Sequence, residues 1–120
     1  MSEYTQEDFK HMALAGGVQV DFVDGEPTTP KEEAGWLVQS SWNPDTDLAD
    51  NYRLAIDCGI DIAFGEDGVL AKKPKLEKPV SEWIMKPEYF KDHGNDKEAA
   101  TMKAINDCAI EIGKAMGGEG

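Results

Sequence analysis

The stretch Trp42–Gly59, WNPDTDLADNYRLAIDCG, concentrates oxygen side chains that could bind a metal ion. A calcium-binding loop needs oxygen ligands at positions 1, 3 and 5, a glycine at position 6 and a glutamate at position 12. A loop that starts at Asn43 has leucine at positions 6 and 12. A loop that starts at Asp45 has aspartate at position 6 and isoleucine at position 12. The spacing excludes a calcium site, and we predict no metal and no cofactor.

The same residues are typical of the start of a helix. Pro44 fits a turn or a first helical turn, and Thr46 or Asp47 can accept hydrogen bonds from its unpaired N–H groups. Apolar residues then recur at helical spacing, and Gly59 stands where a left-handed residue ends a helix. The spaced positions are Leu48, Tyr52, Ala55 and Ile56. Carboxylates at Asp45, Asp47 and Asp50 complement the positive end of the helix dipole.

Side chains that could catalyse a reaction are few. The sequence has no phosphate-binding glycine loop, no zinc-protease His-Glu-x-x-His and no nucleophile elbow. His11 and His93 are its two histidines, and Cys58 and Cys108 its two cysteines. Each cysteine lies in an apparent helix beside small apolar residues, which indicates buried free thiols rather than a disulfide or a zinc site. We predict that the protein is not an enzyme.

The charge of the chain narrows the class of partner. Asp and Glu number 24 against 12 Lys and Arg, which gives a net charge of −12. Direct binding to nucleic acid needs a basic footprint, so the expected partner is a protein with a basic surface. The chain has no apolar run long enough for a membrane span, and MSEYTQEDF lacks the features of a secretory signal. We therefore expect a cytoplasmic location and no association with a membrane.

The first forty residues predict a helix and two strands. A short helix is expected over Gln6–Ala15 and a half-buried strand over Val18–Phe22, where apolar residues alternate with polar ones. The segment DGEPTTPKEEAG contains two prolines and two glycines, which predicts a surface loop. Alternation in WLVQSSW predicts a second strand that ends near Trp42.

The second half predicts a hairpin, an arm and a helix. Alternation on either side of Asp67 and Gly68 predicts two paired strands, because Asp-Gly suits a two-residue turn. Residues 72–94 carry three prolines, which predicts an ordered but irregular arm with a helical turn near Ser81–Met85. A helix of about five turns follows, with Asn95 as its cap and a frayed tail over 117–120.

The apolar stripe of this last helix has two interpretations. It consists of Ala99, Met102, Ile105, Ala109, Ile112 and Met116. The stripe could form the seam of a homodimer, but fewer than three heptads are present, so docking on the sheet is favoured. We expect one domain over 1–120 of mixed α/β (α+β) class, with helices packed on a small sheet rich in antiparallel strands.

Two runs of the sequence resemble the phage ABA sandwich domain, a small α-β-α fold found mainly in phage and prophage proteins. The runs are 42–62, which begins Trp-Asn-Pro-x-Thr-Asp, and 96–116, which is rich in alanine. The matching residues are Trp42, Asn43, Pro44, Thr46, Asp47, Leu54, Ala55, Ala104 and Ile105. The resemblance implies a phage or prophage origin and a helix–sheet–helix layering, and it transfers no catalytic residue.

Charge and resemblance lead to two functional hypotheses. The first is a phage accessory protein that binds a host protein in the host cytoplasm, as an inhibitor of a defence nuclease such as a CRISPR-Cas complex, with its carboxylates in a basic nucleic-acid groove. The second is a structural or regulatory phage protein whose acidity serves only solubility. The carboxylates expected to bind the partner are Asp21, Asp24, Glu26, Asp45, Asp47 and Asp50.

Overall fold

A computed structural model describes residues 4–74 and 83–117 of the chain. Helix α1 covers Gln6–Gly16, as predicted to within one residue. Thr5 starts it with a capping box, because its side chain accepts from the Asp8 N–H while the Asp8 carboxylate accepts from the Thr5 N–H. Gly17 ends it in the left-handed conformation. The buried face of α1 carries Phe9 and Met12.

Sheet A contains β1 (Asp21–Val23), β2 (Glu26–Glu33) and β3 (Trp36–Ser41), paired antiparallel in that order. The strand predicted at WLVQSSW is confirmed as β3, and the strand predicted over Val18–Phe22 forms only at its end and continues to Val23. The surface loop predicted for DGEPTTPKEEAG is wrong, because most of this segment is the central strand β2.

Two features explain why a segment with two prolines pairs on both sides. Tight turns flank β2: Asp24 and Gly25 join it to β1 and Ala34 and Gly35 join it to β3, all four with positive φ, as a two-residue hairpin turn of type I′ requires. Pro30 lies beyond the end of the β1 pairing, which stops at Thr28. Its missing N–H therefore costs that side of the sheet no hydrogen bond.

Helix α2 covers Leu48–Cys58, and the predicted start and end are confirmed. Asp47 is the N-cap, since its Oδ1 accepts from the N–H groups of Ala49 at 2.9 Å and Asp50 at 3.3 Å. Gly59 ends the helix with φ of 72°. The buried face differs from the apolar spacing in the sequence, because Leu48, Tyr52 and Ile56 are exposed. Asp50, Asn51, Leu54, Ala55 and Cys58 are buried instead.

Sheet B contains β4 (Asp61–Phe64), β5 (Gly68–Pro74) and β6 (Trp83–Tyr89), also antiparallel and in sequence order. The predicted hairpin is confirmed, but its connection is Gly65–Gly68, closed by the Gly65 N–H on the Gly68 carbonyl at 2.8 Å. The predicted irregular arm is wrong for its described part, because β6 pairs with β5 along its whole length. Of the predicted helical turn, residues 83–85 are strand, and residues 81 and 82 lie outside the described residues.

A short 3-10 helix, Phe90–His93, leads into α3, which covers Lys97–Met116. Asn95 adopts φ of 64°, so the cap is Asp96, one residue later than predicted. Helix α3 packs on β5 and β6 and also contacts α1 and α2, which confirms docking of the helix on a sheet. The core around it includes Ile105, Ala109 and Ile112, each less than 9% exposed. The predicted tail lies outside the described residues from 118 onward.

The backbones of α1 and α3 approach each other closely at Gly113. A Cβ atom at Gly113 would lie 1.9 Å from the carbonyl oxygen of His11. Only glycine lets these two backbones meet at that distance, because any side chain would overlap the peptide oxygen.

The predicted mixed α+β class is confirmed, with two small antiparallel sheets. No helix in the described part of the chain has the length and apolar character to span a bilayer.

Candidate partner-binding surface

The two faces of sheet A have different surroundings. Side chains alternate between faces along a strand, so residues of one parity share a face in the observed register. One face carries Phe22, Pro27 and Trp42, which are buried or half-buried against the helices. The other face is mostly exposed, with Thr28 as its buried residue. On this face Gln39 Nε2 donates to Asp21 Oδ2 across β2 at 3.0 Å.

This mostly exposed face, here called the acidic face, consists of nine strand positions. They are Asp21, Val23, Glu26, Thr28, Pro30, Glu32, Leu37, Gln39 and Ser41. Every ionisable side chain among them is a carboxylate, and Asp21, Glu26 and Glu32 are all exposed. Glu26 and Glu32 are six residues apart on β2, so the carboxylates extend over about 20 Å. The field of this face is therefore negative along its whole length.

The β1–β2 turn adds a further carboxylate at one end of the acidic face. Asp24 has φ of 54° and an exposed side chain. Aspartate tolerates this conformation better than most residues, and Gly25 follows with φ of 83°. Asp24 thus lies beside Glu26, and the structure brings together three of the six carboxylates predicted for partner binding.

The start of α2 lies at the same end of sheet A. The Trp42 N–H donates to the Pro27 carbonyl at 3.0 Å, which continues the β2–β3 ladder by one residue. The chain continues through Asp45 and Asp47 before it enters α2. Asp47 is exposed and Asp45 is half-buried. Asp45 and Asp47 thus follow the end of sheet A that carries the β1–β2 turn.

Asp50 is placed differently from the prediction. It is only 7% exposed, and its Oδ2 accepts from the Asn43 N–H at 3.0 Å. A carboxylate buried on the first turn of a helix also interacts favourably with the helix dipole. The expectation that Asp50 is presented together with Asp45 and Asp47 is wrong, since this side chain holds the Asn43 backbone against α2.

A buried polar cluster that the sequence did not reveal fixes the same connection. Asn51 Nδ2 lies 3.0 Å from the Pro44 carbonyl, 3.1 Å from the Met102 carbonyl and 3.0 Å from Asn106 Oδ1. Asn106 Nδ2 also donates to the Pro44 carbonyl at 3.0 Å. Both asparagines are at most 1% exposed. The Trp-Asn-Pro segment is thereby tied to α2 and α3, which sets the position of Asp45 and Asp47.

The cysteines and histidines considered for catalysis are buried or half-buried. Burial raises the pKa of the Cys58 thiol to about 11 and that of the Cys108 thiol to about 12. Both thiols are free and buried, as predicted, and they stay protonated at neutral pH. His93 Nε2 lies 2.8 Å from Glu88 Oε1, and His11 is 8% exposed. Among residues 4–74 and 83–117, no group of three or more His, Cys, Asp or Glu side chains is placed to hold a metal ion.

Several large apolar side chains are exposed on the described surface of the protein. Trp36 and Leu37, at the tip of the β2–β3 hairpin, are 75% and 76% exposed. Along α2, Tyr52 and Ile56 are 60% and 63% exposed. Exposed apolar groups of this size beside charged ones are typical of surfaces that bind other proteins.

Comparisons with known proteins give no further identification. No family model matches the chain, and neither a curated protein nor a solved structure is found to be similar to it.

Proposed function

We propose that this chain is a small acidic accessory protein that binds a basic surface of a host protein through the acidic face of sheet A. The observation that supports this most directly is the composition of that face, where Asp21, Glu26 and Glu32 are the ionisable groups and no basic side chain interrupts them. Lys31 lies on the opposite face of β2. The exposed carboxylate of Asp24, in the β1–β2 turn, extends the negative field at one end of this face.

A nucleic-acid-binding protein is the class of partner that fits this surface. The carboxylates extend over about 20 Å, close to the rise of six base pairs of duplex DNA, so they could occupy a groove built for phosphates. A phage origin, which the resemblance to the phage ABA sandwich domain suggests, makes a host defence nuclease such as a CRISPR-Cas complex the leading candidate. Occupation of its nucleic-acid groove would inhibit it without any chemical step.

The test compares two triple variants that each remove three negative charges. The first, Asp21→Asn, Glu26→Gln and Glu32→Gln, neutralises the acidic face. The matched control, Glu66→Gln, Asp92→Asn and Glu98→Gln, removes exposed carboxylates elsewhere. The native chain and both variants are each used to capture partners from bacterial lysate at low and high ionic strength. Each captured protein is then tested for nucleic-acid binding in the presence and absence of the chain that captured it.

We expect the native chain and the control to capture the same nucleic-acid-binding protein and to displace its nucleic acid. The acidic-face variant should bind it about tenfold more weakly, because three exposed charge pairs contribute about 0.5 kcal/mol each. Equal weakening in both variants would show that only net charge matters. Capture that is independent of salt and of both variants would contradict the proposal and leave the acidity as a solubility feature.

A further inference from the structure

The outer edge of β3 has backbone groups available for pairing. The Trp42 N–H points to β2, and since direction alternates along a strand, the N–H and C=O groups of Leu37, Gln39 and Ser41 point away from β2. Sheet A ends at β3, and in the described part of the chain no strand pairs with this edge. Three of the six residues of β3 therefore each offer one backbone N–H donor and one C=O acceptor to an added strand.

The other edges of the two sheets are protected in ways that β3 is not. Strands β1 and β4 have only three and four residues. Strand β6 carries Lys86 and Pro87, a charge and a residue that cannot donate to a neighbour. Strand β3, Trp-Leu-Val-Gln-Ser-Ser, has neither a charged residue nor a proline, and its pairing with β2 contains no bulge. It is the edge best suited to receive another strand.

The tip of this edge is apolar and held in place by its turn. Trp36 and Leu37 are the most exposed large apolar residues described, and Val38 is 36% exposed. Pairing of Glu33 with Trp36 continues the ladder up to the two-residue turn, so the tip is a fixed part of the hairpin. Trp is among the residues that contribute most to protein interfaces, because its ring buries a large area at a small entropic cost.

Charge decides which occupant fits this edge. Glu32 and Glu33 lie directly opposite Leu37 and Trp36, and Asp21 contacts Gln39. A second copy of the chain would bring the same carboxylates and a further net charge of −12 against them. An anionic membrane surface would repel them as well. A basic segment of another protein is the occupant whose charge is complementary.

We propose that the outer edge of β3 binds an extended, lysine- or arginine-rich segment of the partner, which adds to sheet A as a fourth strand. Main-chain hydrogen bonds to Leu37, Gln39 and Ser41 supply the pairing. Alternate side chains of the added strand lie on the same side as the acidic face, where Glu32 and Asp21 attract basic groups. The proposed function enters this inference only in the sign of the partner's charge.

The test uses a synthetic nine-residue peptide of alternating valine and lysine, capped at both ends, and a second peptide with glutamate in place of lysine. Both are titrated into the full chain, and backbone amide signals are followed by NMR. Gln39→Pro removes an outward N–H that the β2 ladder does not use. Gln39→Ala is the matched control, since it removes the side chain that contacts Asp21 but keeps the N–H. Leu37→Lys supplies a second variant that protects the edge if Gln39→Pro does not fold.

We expect the lysine peptide to shift the amide signals of Leu37, Gln39 and Ser41 and to bind at least about tenfold more tightly than the glutamate peptide at low salt. Gln39→Pro or Leu37→Lys should weaken binding about tenfold or more, and Gln39→Ala by less than about threefold. No binding, equal binding to Gln39→Pro, or shifts on sheet B would overturn the inference. So would a homodimer that Gln39→Pro abolishes, because the occupant would then be a second copy.

The outcome is independent of the test of the proposed function. If the acidic-face variants alter partner capture but the peptide does not bind β3, the partner uses the acidic face without adding a strand. If the peptide binds β3 but capture is insensitive to the acidic face, the edge is functional and the proposed electrostatic mimicry is wrong.

Discussion

Asn51→Ala should destabilise the fold strongly, because this side chain connects three parts of the chain. Its amide lies within 3.1 Å of the Pro44 carbonyl, the Met102 carbonyl and Asn106 Oδ1, and it is fully buried. Its two amide hydrogens are shared among these three acceptors, which amounts to two hydrogen bonds, and each buried hydrogen bond contributes about 1 kcal/mol. The substitution also leaves the Asn106 oxygen without a donor, which costs a further 1 to 3 kcal/mol or so.

One contribution to the change in unfolding free energy of Asn51→Ala is stabilising. Asn51 Oδ1 is buried without a hydrogen-bond partner, so its removal returns about 1 kcal/mol. The net loss should be about 2 to 4 kcal/mol, a large part of the roughly 5 to 15 kcal/mol typical of a domain. Because Asn51 and Asn106 share the Pro44 carbonyl, the loss for Asn51→Ala plus Asn106→Ala should differ from the sum of the single losses by about 1 kcal/mol or more.

Urea unfolding followed by circular dichroism measures these quantities for the native chain, both single variants and the double variant. Gln19→Ala, at an exposed position, serves as the control and should change the unfolding free energy by less than about 0.5 kcal/mol. A loss below about 1 kcal/mol for Asn51→Ala, or strictly additive losses, would refute the view that the asparagine pair holds the Trp-Asn-Pro segment against α2 and α3.

Three further predictions concern stability. Asp50→Ala should lower the unfolding free energy by about 1 to 3 kcal/mol, because the part-buried Asn43 N–H loses its acceptor. Gly113→Ala should lower it by at least about 1 to 3 kcal/mol, since the new methyl group would overlap the His11 carbonyl and force α1 away from α3. The pKa values of Cys58 and Cys108 are raised from 9.0 to about 11 and about 12. Above pH 9 the unfolded chain loses these protons while the folded chain keeps them, so the unfolding free energy should fall as the pH rises from 9 toward 11 and be unaffected by these groups below 9.

Each of these has a control. Asp24→Ala, at an exposed turn position, should leave stability within about 1 kcal/mol of the native value. Gly65→Ala meets no atom closer than 3.7 Å and should be tolerated. Replacement of both cysteines by alanine should flatten the stability profile above pH 9. A wild-type melting temperature for Gly113→Ala, or an identical alkaline profile without the cysteines, would contradict the packing and the burial from which these predictions come.

Local signals in the sequence were sufficient where the chain interacts mainly with its neighbours along the sequence. Asp47 caps α2 and Gly59 ends it, as the residue types indicated, because capping depends on side chains within one turn. The turn chemistry of Asp24 and Gly25 was also present in the sequence, but two prolines nearby favoured a loop. The segment is a strand because it pairs with β1 and β3, and such pairing depends on contacts outside the segment itself.

The sequence alone therefore determined the net charge, the boundaries of the three α-helices to within about one residue, the buried thiols and the mixed α+β class, because composition and periodicity report these directly. Only the tertiary structure decided that Asp50 and Asn51 are buried while Tyr52 and Ile56 are exposed, since the orientation of α2 is set by its contacts with Pro44 and α3. The acidic face likewise depends on strand register, which places Asp21, Glu26 and Glu32 on one side of a sheet. A shift of one residue in that register would send each carboxylate to the opposite face.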